Sequence, residues 1–293
     1  MDDASPKTNK QAANIQDKTV TIDGMKIRYL EAGGGHPVLM LHGASLGSSA
    51  DVFLRNLPPL VAAGFRCIAF DQPGFGLSDM PADHSGKLRV RMIPKIADAL
   101  GLGKVALYAH SQSGSMAWQL ALESPERYSH LIVLGTGSLL PPLEEKKQGL
   151  DSAAQQRLER RMAHKEPAIE DTRKLLEATL FHHELITGSE LALRHSRSIG
   201  RNFEAFVIRS DQEADAPAKE KTGPEAWQRV DELKVPSLLI YGKEDRANAF
   251  ERVTLWKEKY PSLNLHIITG CKHLVPWDAA DDVARLCIPF LKG

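Results

Sequence analysis

Six short runs of almost continuously apolar residues recur along the chain, each bounded by glycine or charged residues. They cover residues 38–41, 67–70, 105–108, 131–134, 238–241 and 265–268. Runs of this length, apolar on both alternating faces, suit strands that are buried on both sides of a parallel sheet. The pattern therefore predicts a parallel sheet in the interior of the protein.

Residues with helical spacing lie between several of these runs, for instance at 93–100 and 116–123. The alternation of buried strand and helix predicts an α/β fold. Two earlier segments, 19–22 and 26–31, flank Asp23-Gly24 and predict a leading hairpin. Pro94 interrupts one helical pattern, so we expect that helix to start or kink there.

The alternation stops between residues 140 and 225, where the chain is charged and has helical patterns at 155–162 and 172–180. A helical insertion after the sixth strand would cover the carboxyl ends of the strands, where sheets of this kind place their sites. We therefore predict eight mostly parallel strands flanked by helices, with a cap over them. The predicted organisation is a disordered tail (1–17), a core (18–139 and 226–293) and a helical cap (140–225).

Composition limits the classes of binding partner that the sequence predicts. The 293 residues suffice for one large domain, and 37 basic residues balance 37 acidic ones, so net charge favours neither nucleic acid nor an anionic membrane. Cys67, Cys271 and Cys287 are too few and too scattered for a disulfide framework or a metal site. The first 18 residues lack an apolar signal core, and no apolar run suits a membrane helix. We expect a cytoplasmic protein with a small-molecule substrate.

Residues 108–114 read Tyr-Ala-His-Ser-Gln-Ser-Gly and follow a predicted strand directly. A serine between small residues, at the junction of a strand and a helix, is typical of a sharp turn that exposes a nucleophile. Ala109 and Ser113 stand where the G-x-S-x-G form of this motif has glycine. Ser111 is the candidate nucleophile.

A serine hydroxyl needs a base, and the base needs an acid that orients it. Asp245 follows the strand predicted at 238–241, and His273 lies 28 residues further on, after the strand at 265–268. The order Ser111, Asp245, His273 is that of the α/β-hydrolase triad. Glu244, beside Asp245, is the alternative acid.

Attack on a carbonyl creates an oxyanion that requires hydrogen-bond donors. His42-Gly43 follows a buried strand, and the backbone N–H groups of Ala44 and Gln112 are the candidate donors. We interpret His42 as a structural histidine of this loop, with a role as the base as the alternative. His110 is interpreted as a neighbour that packs beside the serine.

These motifs resemble those of the α/β-hydrolase superfamily over nearly the whole chain. The resemblance rests on His42-Gly43, the stretch Asp-Gln-Pro-Gly-Phe-Gly-Leu-Ser-Asp at 71–79, the serine turn, Gly242-Lys-Glu-Asp245 and His273. It implies a Ser-His-Asp hydrolase. Epoxide hydrolases and haloalkane dehalogenases carry aspartate at the position of Ser111, so the resemblance argues against them.

Within the superfamily the chain looks most like the meta-cleavage-product hydrolases, which cleave a carbon–carbon bond in vinylogous diketo acids. Trp277 lies four residues after His273, and the cap carries Leu-Ile-Thr at 185–187, followed by Leu191 and Arg194, similar to that family's pattern. The resemblance implies that Arg194 binds the substrate carboxylate and that Trp277 contacts the substrate. The alternatives are a solvated arginine of the cap and an aromatic residue of the core beside the histidine loop.

Two stretches differ from the family. It usually has Gly-Asn-Ser-Met-Gly-Gly at the serine turn, whereas His110 precedes the serine here, as in many esterases. A glycine-rich run after His-Gly is replaced by Ala-Ser-Leu-Gly at 44–47. In that family both stretches form part of the oxyanion and substrate pocket. His110 and Ser45 are therefore further candidate substrate contacts.

We expect carbon–carbon bond hydrolysis of a vinylogous diketo acid. The alternative is an ester, lactone or thioester hydrolase, which the His110-Ser111 pair favours, and a remote alternative is a ligand-sensing protein. No cofactor is expected, since the first strand–turn lacks G-x-G-x-x-G, and no metal, since His182 and His183 lack a third ligand. The resemblance suggests a homodimer or a larger homo-oligomer.

Overall fold

The computed structural model of the protein describes residues 14–143, 165–215, 223–246 and 248–293, which form a single eight-stranded sheet. Its strands are β1 (Gln16–Ile22), β2 (Met25–Ala32), β3 (Pro37–Leu41), β4 (Arg66–Phe70), β5 (Val105–His110), β6 (Tyr128–Leu134), β7 (Ser237–Gly242) and β8 (Leu265–Ile268). Their spatial order is β1-β2-β4-β3-β5-β6-β7-β8. Only the β1–β2 and β2–β4 pairs are antiparallel, which confirms the predicted fold.

Helices cover both faces of the sheet and form the described part of the segment between β6 and β7. The helices are α1 (Leu57–Ala62), α2 (Gly86–Ala99), α3 (Gln112–Glu123), α4 (Ile169–Thr179), α5 (Gly188–Ser196), α6 (Arg201–Asp215), α7 (Ala249–Lys259), α8 (Val275–Asp278) and α9 (Ala280–Lys292). Short 3-10 turns join several of them.

Two apolar cores, one on each face, explain why the strand sequences are continuously apolar. Alternate residues of β3 pack into different cores: Leu39 and Leu41 into one, Val38 and Met40 into the other. Every residue of β5 is buried. Because successive side chains of a strand point to opposite faces, burial of both faces requires apolar residues at consecutive positions.

Two boundaries differ from those expected. Strand β1 begins at Gln16, within the segment predicted as a tail, because its pairing with β2 extends to Glu31. Helix α2 does not start at Pro94 but begins at Gly86, where Ser85 Oγ accepts a hydrogen bond from Leu88 N–H, and Pro94 lies inside it. An internal proline costs about 3 kcal/mol in an isolated helix. Burial of the apolar face of α2 in the core offsets that cost.

Hydrogen bonds join the segment of helices α4 to α6 to the rest of the protein, beside apolar contacts of Leu176 and Leu191. Arg197 Nε donates to Asp51 Oδ2 at 3.1 Å, and Arg209 Nη1 donates to Gly74 O at 3.0 Å. The backbone N–H of Leu274 donates to Thr179 O at 3.0 Å. The helix predicted at 172–180 is α4, whereas the one predicted at 155–162 lies outside the described residues. Throughout the described ranges, every helix is too short or too polar to cross a membrane.

Candidate active site

The turn at Ser111 is a single residue between strand β5 and helix α3. Its backbone angles, φ 57° and ψ −129°, lie in a region that non-glycine residues rarely adopt. Hydrogen bonds on both sides hold it there: Ser111 N–H donates to Leu134 O at 2.9 Å, and Ser111 O accepts from Thr136 Oγ1 at 2.8 Å. The strained turn thus presents the hydroxyl at the carboxyl edge of the sheet.

Close packing explains the small residues around this serine. A Cβ at Gly114 would lie 2.0 Å from Thr136 Oγ1, so no larger residue fits there. Ser113 is fully buried; its Oγ donates to His42 O at 2.5 Å and accepts from Gln72 Nε2 at 3.0 Å. The serine that replaces the second glycine of the motif therefore ties the turn to the His42 loop.

His273 connects Ser111 to Asp245. Its Nε2 lies 3.0 Å from Ser111 Oγ, and its Nδ1 lies 3.1 Å from Asp245 Oδ2. A carboxylate accepts the Nδ1 proton, which leaves Nε2 to accept the serine hydroxyl. Asp245 Oδ1 also accepts from Arg246 N–H at 2.7 Å. Only 10% of the His273 side chain and 3% of the Asp245 side chain are exposed. This arrangement can activate a hydroxyl nucleophile.

Glu244, the alternative acid, has another partner. Its Oε2 accepts a hydrogen bond from Cys271 N–H at 3.0 Å, in the loop that carries His273. The two loops are in close contact, since a Cβ at Gly242 would lie 2.2 Å from Cys271 O. Glu244 thus holds the histidine loop, while Asp245 faces the imidazole.

His42 follows strand β3 directly, is fully buried and is neutral. Its Nδ1 donates to Gly43 O at 2.6 Å, and its Nε2 accepts from Gln72 N–H at 3.0 Å. Burial, reinforced by nearby arginines, lowers the pKa of His42 to about 3. Both ring nitrogens form hydrogen bonds with the backbone, one in each of two loops, which fits a structural role and not that of a base for Ser111.

The backbone after His42 passes over the serine. A Cβ at Gly43 would lie 2.9 Å from Ser111 Cβ and 3.4 Å from Ser111 Oγ, so Ala44 follows a residue in contact with the nucleophile. Gln112 is the first residue of α3, where backbone N–H groups and the helix dipole favour negative charge. The assignment of Ala44 and Gln112 to an oxyanion hole stays a prediction that this proximity supports.

His110 lies behind the triad. Its Nε2 donates to the backbone carbonyl of His273 at 2.9 Å, and the two rings are 5.3 Å apart. Burial lowers the pKa of His110 well below its usual value, and so does the charge of His273. The neutral ring therefore supports the loop of the catalytic histidine candidate. A substrate contact by His110 stays a prediction.

A pocket lies above His273, with an empty volume of about 530 Å³ including its mouth. The described residues that line it are Ser45, Leu46, Thr172, Leu175, Leu176, Thr179, Arg194, Phe206, Arg246 and His273. It combines apolar walls from α4 and α6 with a few polar groups, which is typical of small-molecule sites. Among the described residues, no cluster of histidine, cysteine, aspartate or glutamate is placed to hold a metal ion.

Arg194 projects from α5 into this pocket. Its Nη2 donates to Leu46 O at 2.8 Å and to Ser45 Oγ at 3.2 Å, which places two of the predicted substrate contacts side by side. Burial lowers the pKa of Arg194 to about 10, and no carboxylate among the described residues offsets that desolvation. A partly buried guanidinium without a carboxylate partner is suited to an anionic ligand.

Trp277 does not join this group. It belongs to α8, is buried in the core, and lies beneath the guanidinium of Arg55, whose Cζ is 5.9 Å from the ring centroid. The ring is not among the residues that line the pocket in the described part of the chain. Its contribution to substrate binding stays a prediction.

Arg246 was not singled out from the sequence, although it lines the pocket. Its Nη2 lies 3.4 Å from His273 Nε2, the nitrogen that faces the serine. The available signal was its position immediately after the predicted acid. The cap residues Thr172, Leu175 and Phe206 were also missed, because helical periodicity does not distinguish a face packed on the core from one lining a pocket.

The sequence is similar to those of named hydrolases over nearly its whole length. A family model described as the α/β hydrolase fold matches residues 36–280. A 2-hydroxy-6-oxo-6-phenylhexa-2,4-dienoate hydrolase from Burkholderia cepacia is 30% identical over 304 residues, covering 99% of each chain. A 2-hydroxy-6-oxononadienedioate/2-hydroxy-6-oxononatrienedioate hydrolase from Comamonas testosteroni is 29% identical over 306 residues, again covering 99% of each.

Solved structures agree on the architecture. A meta-cleavage product hydrolase from Pseudomonas fluorescens IP01 has a TM-score of 0.75 and 26% identity, covering 94% of this chain and 97% of that one. A bacterial membrane phospholipase A has a TM-score of 0.79 at 21% identity, covering 98% and 89%. At the lower identity the likeness shows the fold alone, because this architecture serves several chemistries.

Proposed function

Since the chain belongs to the α/β-hydrolase family and is a hydrolase, we propose that it hydrolyses a carbon–carbon bond in a 2-hydroxy-6-oxo-dienoate. The resemblance to meta-cleavage-product hydrolases is confirmed by relatives named as 2-hydroxy-6-oxo-dienoate hydrolases over nearly the full chain, and by a solved structure of a meta-cleavage product hydrolase. Ser111, His273 and Asp245 are the proposed catalytic residues, with Ala44 and Gln112 N–H groups as oxyanion donors.

The position of Arg194 in the pocket is the observation on which this choice of substrate rests. Its guanidinium shares a pocket with His273 and has no carboxylate partner among the described residues. A dienoate substrate has a carboxylate at one end and the scissile carbonyl further along the chain. Anchoring the carboxylate at Arg194 would hold that carbonyl at a fixed distance from Ser111, which lowers the entropic cost of attack.

The reaction begins with conversion of the dienol to its keto form, in which the C2 hydroxyl loses a proton and C5 gains one, while Arg194 holds the carboxylate. Ser111 then transfers its proton to His273 Nε2 and attacks the C6 carbonyl. The resulting oxyanion accepts hydrogen bonds from the Ala44 and Gln112 N–H groups. Asp245 keeps the imidazole in the required tautomer and stabilises the imidazolium that forms.

Cleavage of the C5–C6 bond leaves an acyl group on Ser111. The electron pair of that bond is delocalised through C5, C4 and C3 onto the C2 oxygen, which takes the proton held by His273, and the 2-hydroxydienoate leaves. Water, deprotonated by His273, then hydrolyses the acyl-serine to a carboxylic acid and restores the hydroxyl. One water is consumed overall: its oxygen enters the acid, and C5 gains a hydrogen.

Stopped-flow absorbance tests this proposal. Mixing the protein with 2-hydroxy-6-oxo-6-phenylhexa-2,4-dienoate should remove the dienolate band and release benzoate in equal amount. Ser111→Ala should lose several orders of magnitude in turnover, by analogy with other triads. An unchanged band with wild-type protein, beside rapid hydrolysis of short nitrophenyl esters, would instead establish an ester hydrolase. Binding without turnover of either class would identify a ligand sensor.

The cap and the assembly are part of the same proposal. We take the segment 140–225 as a cap that shields the pocket, because its described helices α4 to α6 supply Thr172, Arg194 and Phe206 to the lining. A homodimer or larger homo-oligomer is implied by the resemblance, and a cytoplasmic location stays a prediction. Light scattering coupled to gel filtration measures the assembly directly.

A further inference from the structure

Asp278 is a buried carboxylate to which the proposed mechanism assigns no role. It is the last residue of α8, only 8% of it is exposed, and backbone N–H groups from two segments donate to it. Phe181 N–H donates to Oδ1 at 2.9 Å and to Oδ2 at 2.8 Å, and His182 N–H donates to Oδ1 at 3.0 Å. Lys272 N–H donates to Oδ2 at 2.7 Å. A buried carboxylate depends on hydrogen bonds of this kind.

The two segments belong to the cap and to the loop of the proposed base. Phe181 and His182 lie shortly after α4 ends at Thr179, and α4 supplies part of the pocket lining. Lys272 immediately precedes His273 in the sequence. One carboxylate therefore connects a wall of the pocket to the loop from which the imidazole extends.

Three consecutive residues of the histidine loop are held by hydrogen bonds. The carboxylate accepts from Lys272 N–H, and the carbonyl of His273 accepts from His110 Nε2 at 2.9 Å. Leu274 N–H donates to Thr179 O at 3.0 Å. The first and third of these contacts lead to the end of α4, and the second leads to strand β5. The backbone of the base is thus fixed from the cap on one side and from the serine strand on the other.

The contact between the base and the nucleophile depends on this placement. His273 Nε2 lies 3.0 Å from Ser111 Oγ, which is the distance of a direct hydrogen bond. A displacement of about 1 Å caused by a change away from the reacting atoms can cost about a hundredfold in rate. Without the carboxylate of Asp278, buried N–H groups of both segments would lack an acceptor, so both segments would rearrange.

We propose that Asp278 is a positioning residue, which fixes the loop of His273 to the end of α4 and so sets the base relative to both Ser111 and the cap. The inference rests on the proposed function, in which His273 is the base. Asp278 is not among the described residues that line the pocket, so it acts through the loop and not on the substrate.

Hydrogen exchange followed by mass spectrometry tests this connection without a substrate. Asp278→Ala should speed exchange about tenfold or more in peptides that cover 179–184 and in those that cover 270–276, because amides of both segments lose their acceptor. Asp278→Asn keeps one acceptor oxygen and should fall between Asp278→Ala and wild type. The matched control is Asp282→Ala, which removes a more exposed aspartate of α9 that pairs with Arg285. It should leave both peptides unchanged.

Turnover of 4-nitrophenyl acetate reports on the pair of Ser111 and His273 without a need for a substrate carboxylate. In Asp278→Ala kcat should fall about ten- to a hundredfold, with a smaller change in KM, because the base is displaced while the pocket remains. Asp278→Asn should recover part of the loss, and Asp282→Ala should match wild type. Ser111→Ala gives the background rate.

Proton NMR separates a displaced base from a protein that is only less stable. The proton between His273 Nδ1 and Asp245 gives a low-field resonance, which is assigned by its loss in Asp245→Ala. This resonance should broaden or disappear in Asp278→Ala at a temperature well below its melting point, and should persist in Asp282→Ala. Thermal melting shows which variants are folded, and Asp278→Asn carries the test if Asp278→Ala does not fold.

The outcomes separate the inference from the proposed function. Wild-type exchange in the 270–276 peptides of the Asp278 variants, or a wild-type kcat, would overturn the positioning role. A loss of kcat on the ester in Asp278→Ala, beside an unchanged dienolate band with wild-type protein, would keep that role and overturn the carbon–carbon hydrolase assignment. Wild-type protein that turned over neither the ester nor the dienoate would overturn the triad, and the inference with it.

Discussion

Gly43 lies against Ser111 so closely that a Cβ on Gly43 would be 2.9 Å from Ser111 Cβ. Real Cβ atoms do not approach other atoms so closely, so one of the two loops would have to move. The loop after Gly43 carries the Ala44 N–H group, and its position relative to the serine decides whether that N–H reaches the oxyanion. The absence of a side chain at Gly43 is therefore a requirement of the site.

Gly43→Ala should lower kcat by about a hundredfold, the usual loss when one oxyanion donor is displaced, and should leave the secondary structure unchanged. Steady-state kinetics and circular dichroism measure the two effects. Gly34→Ala is the matched control, because a Cβ there meets nothing within 4 Å. A folded Gly43→Ala protein with wild-type kcat would contradict the assigned role of Ala44.

Asp245 and Glu244 are adjacent in sequence, but only Asp245 contacts the imidazole. Asp245→Asn should reduce kcat by about ten-thousandfold, since an amide no longer selects the required tautomer of His273. Glu244→Gln should cost less than about tenfold, because its amide oxygen still accepts from Cys271 N–H. If Glu244→Gln proved the more damaging of the two, the acid of the triad would have to be reassigned.

Arg194 should act mainly on substrate binding. Arg194→Met removes the charge and should raise KM for a dienoate by about ten- to a hundredfold, with a smaller effect on kcat. Arg194→Lys should recover part of the loss, because a lysine keeps the charge without the planar pair of donors. Arg201→Met, on the exposed start of α6, serves as the control. Equal KM values for wild type and Arg194→Met would remove the anchor from the mechanism.

His42 should make stability depend on pH. Its pKa is about 3 in the folded protein and about 6.5 in an unfolded chain, so below pH 6.5 the unfolded state binds more protons. Stability from this residue is complete above pH 6.5 and declines as the pH falls toward 3. By pH 5 the free energy of unfolding should drop by about 2 kcal/mol through His42 alone.

Urea unfolding at pH 7 and pH 5 measures this loss. His42→Asn should be less stable than wild type at pH 7, because the loop loses its partners, yet should lose less on acidification. The matched control is His182→Asn, which replaces a histidine whose side chain is 41% exposed. A wild-type loss between the two pH values no larger than that of His42→Asn would show that His42 does not drive the dependence.

Local pattern was enough for the sheet and for the turn at Ser111. Continuous apolar runs such as 105–108 predict buried strands because both faces of this sheet are covered. The small residues Ala109 and Ser113 indicate the strained turn because larger side chains would collide there. The predicted helix start at Pro94 was the exception, since packing of α2 against the core outweighed the local preference of proline for a helix start.

The triad of Ser111, Asp245 and His273 could also be predicted from the sequence, since each residue follows the carboxyl end of a predicted strand and these ends lie at one edge of the sheet. Only the tertiary structure decided which neighbouring side chains face each other: Asp245 and not Glu244 toward the imidazole, Arg246 into the pocket, Trp277 into the core. Hydrophobic periodicity reports whether a residue is buried, whereas a site depends on which groups meet across distant loops. That choice is made by packing between segments far apart in sequence, and no local pattern encodes it.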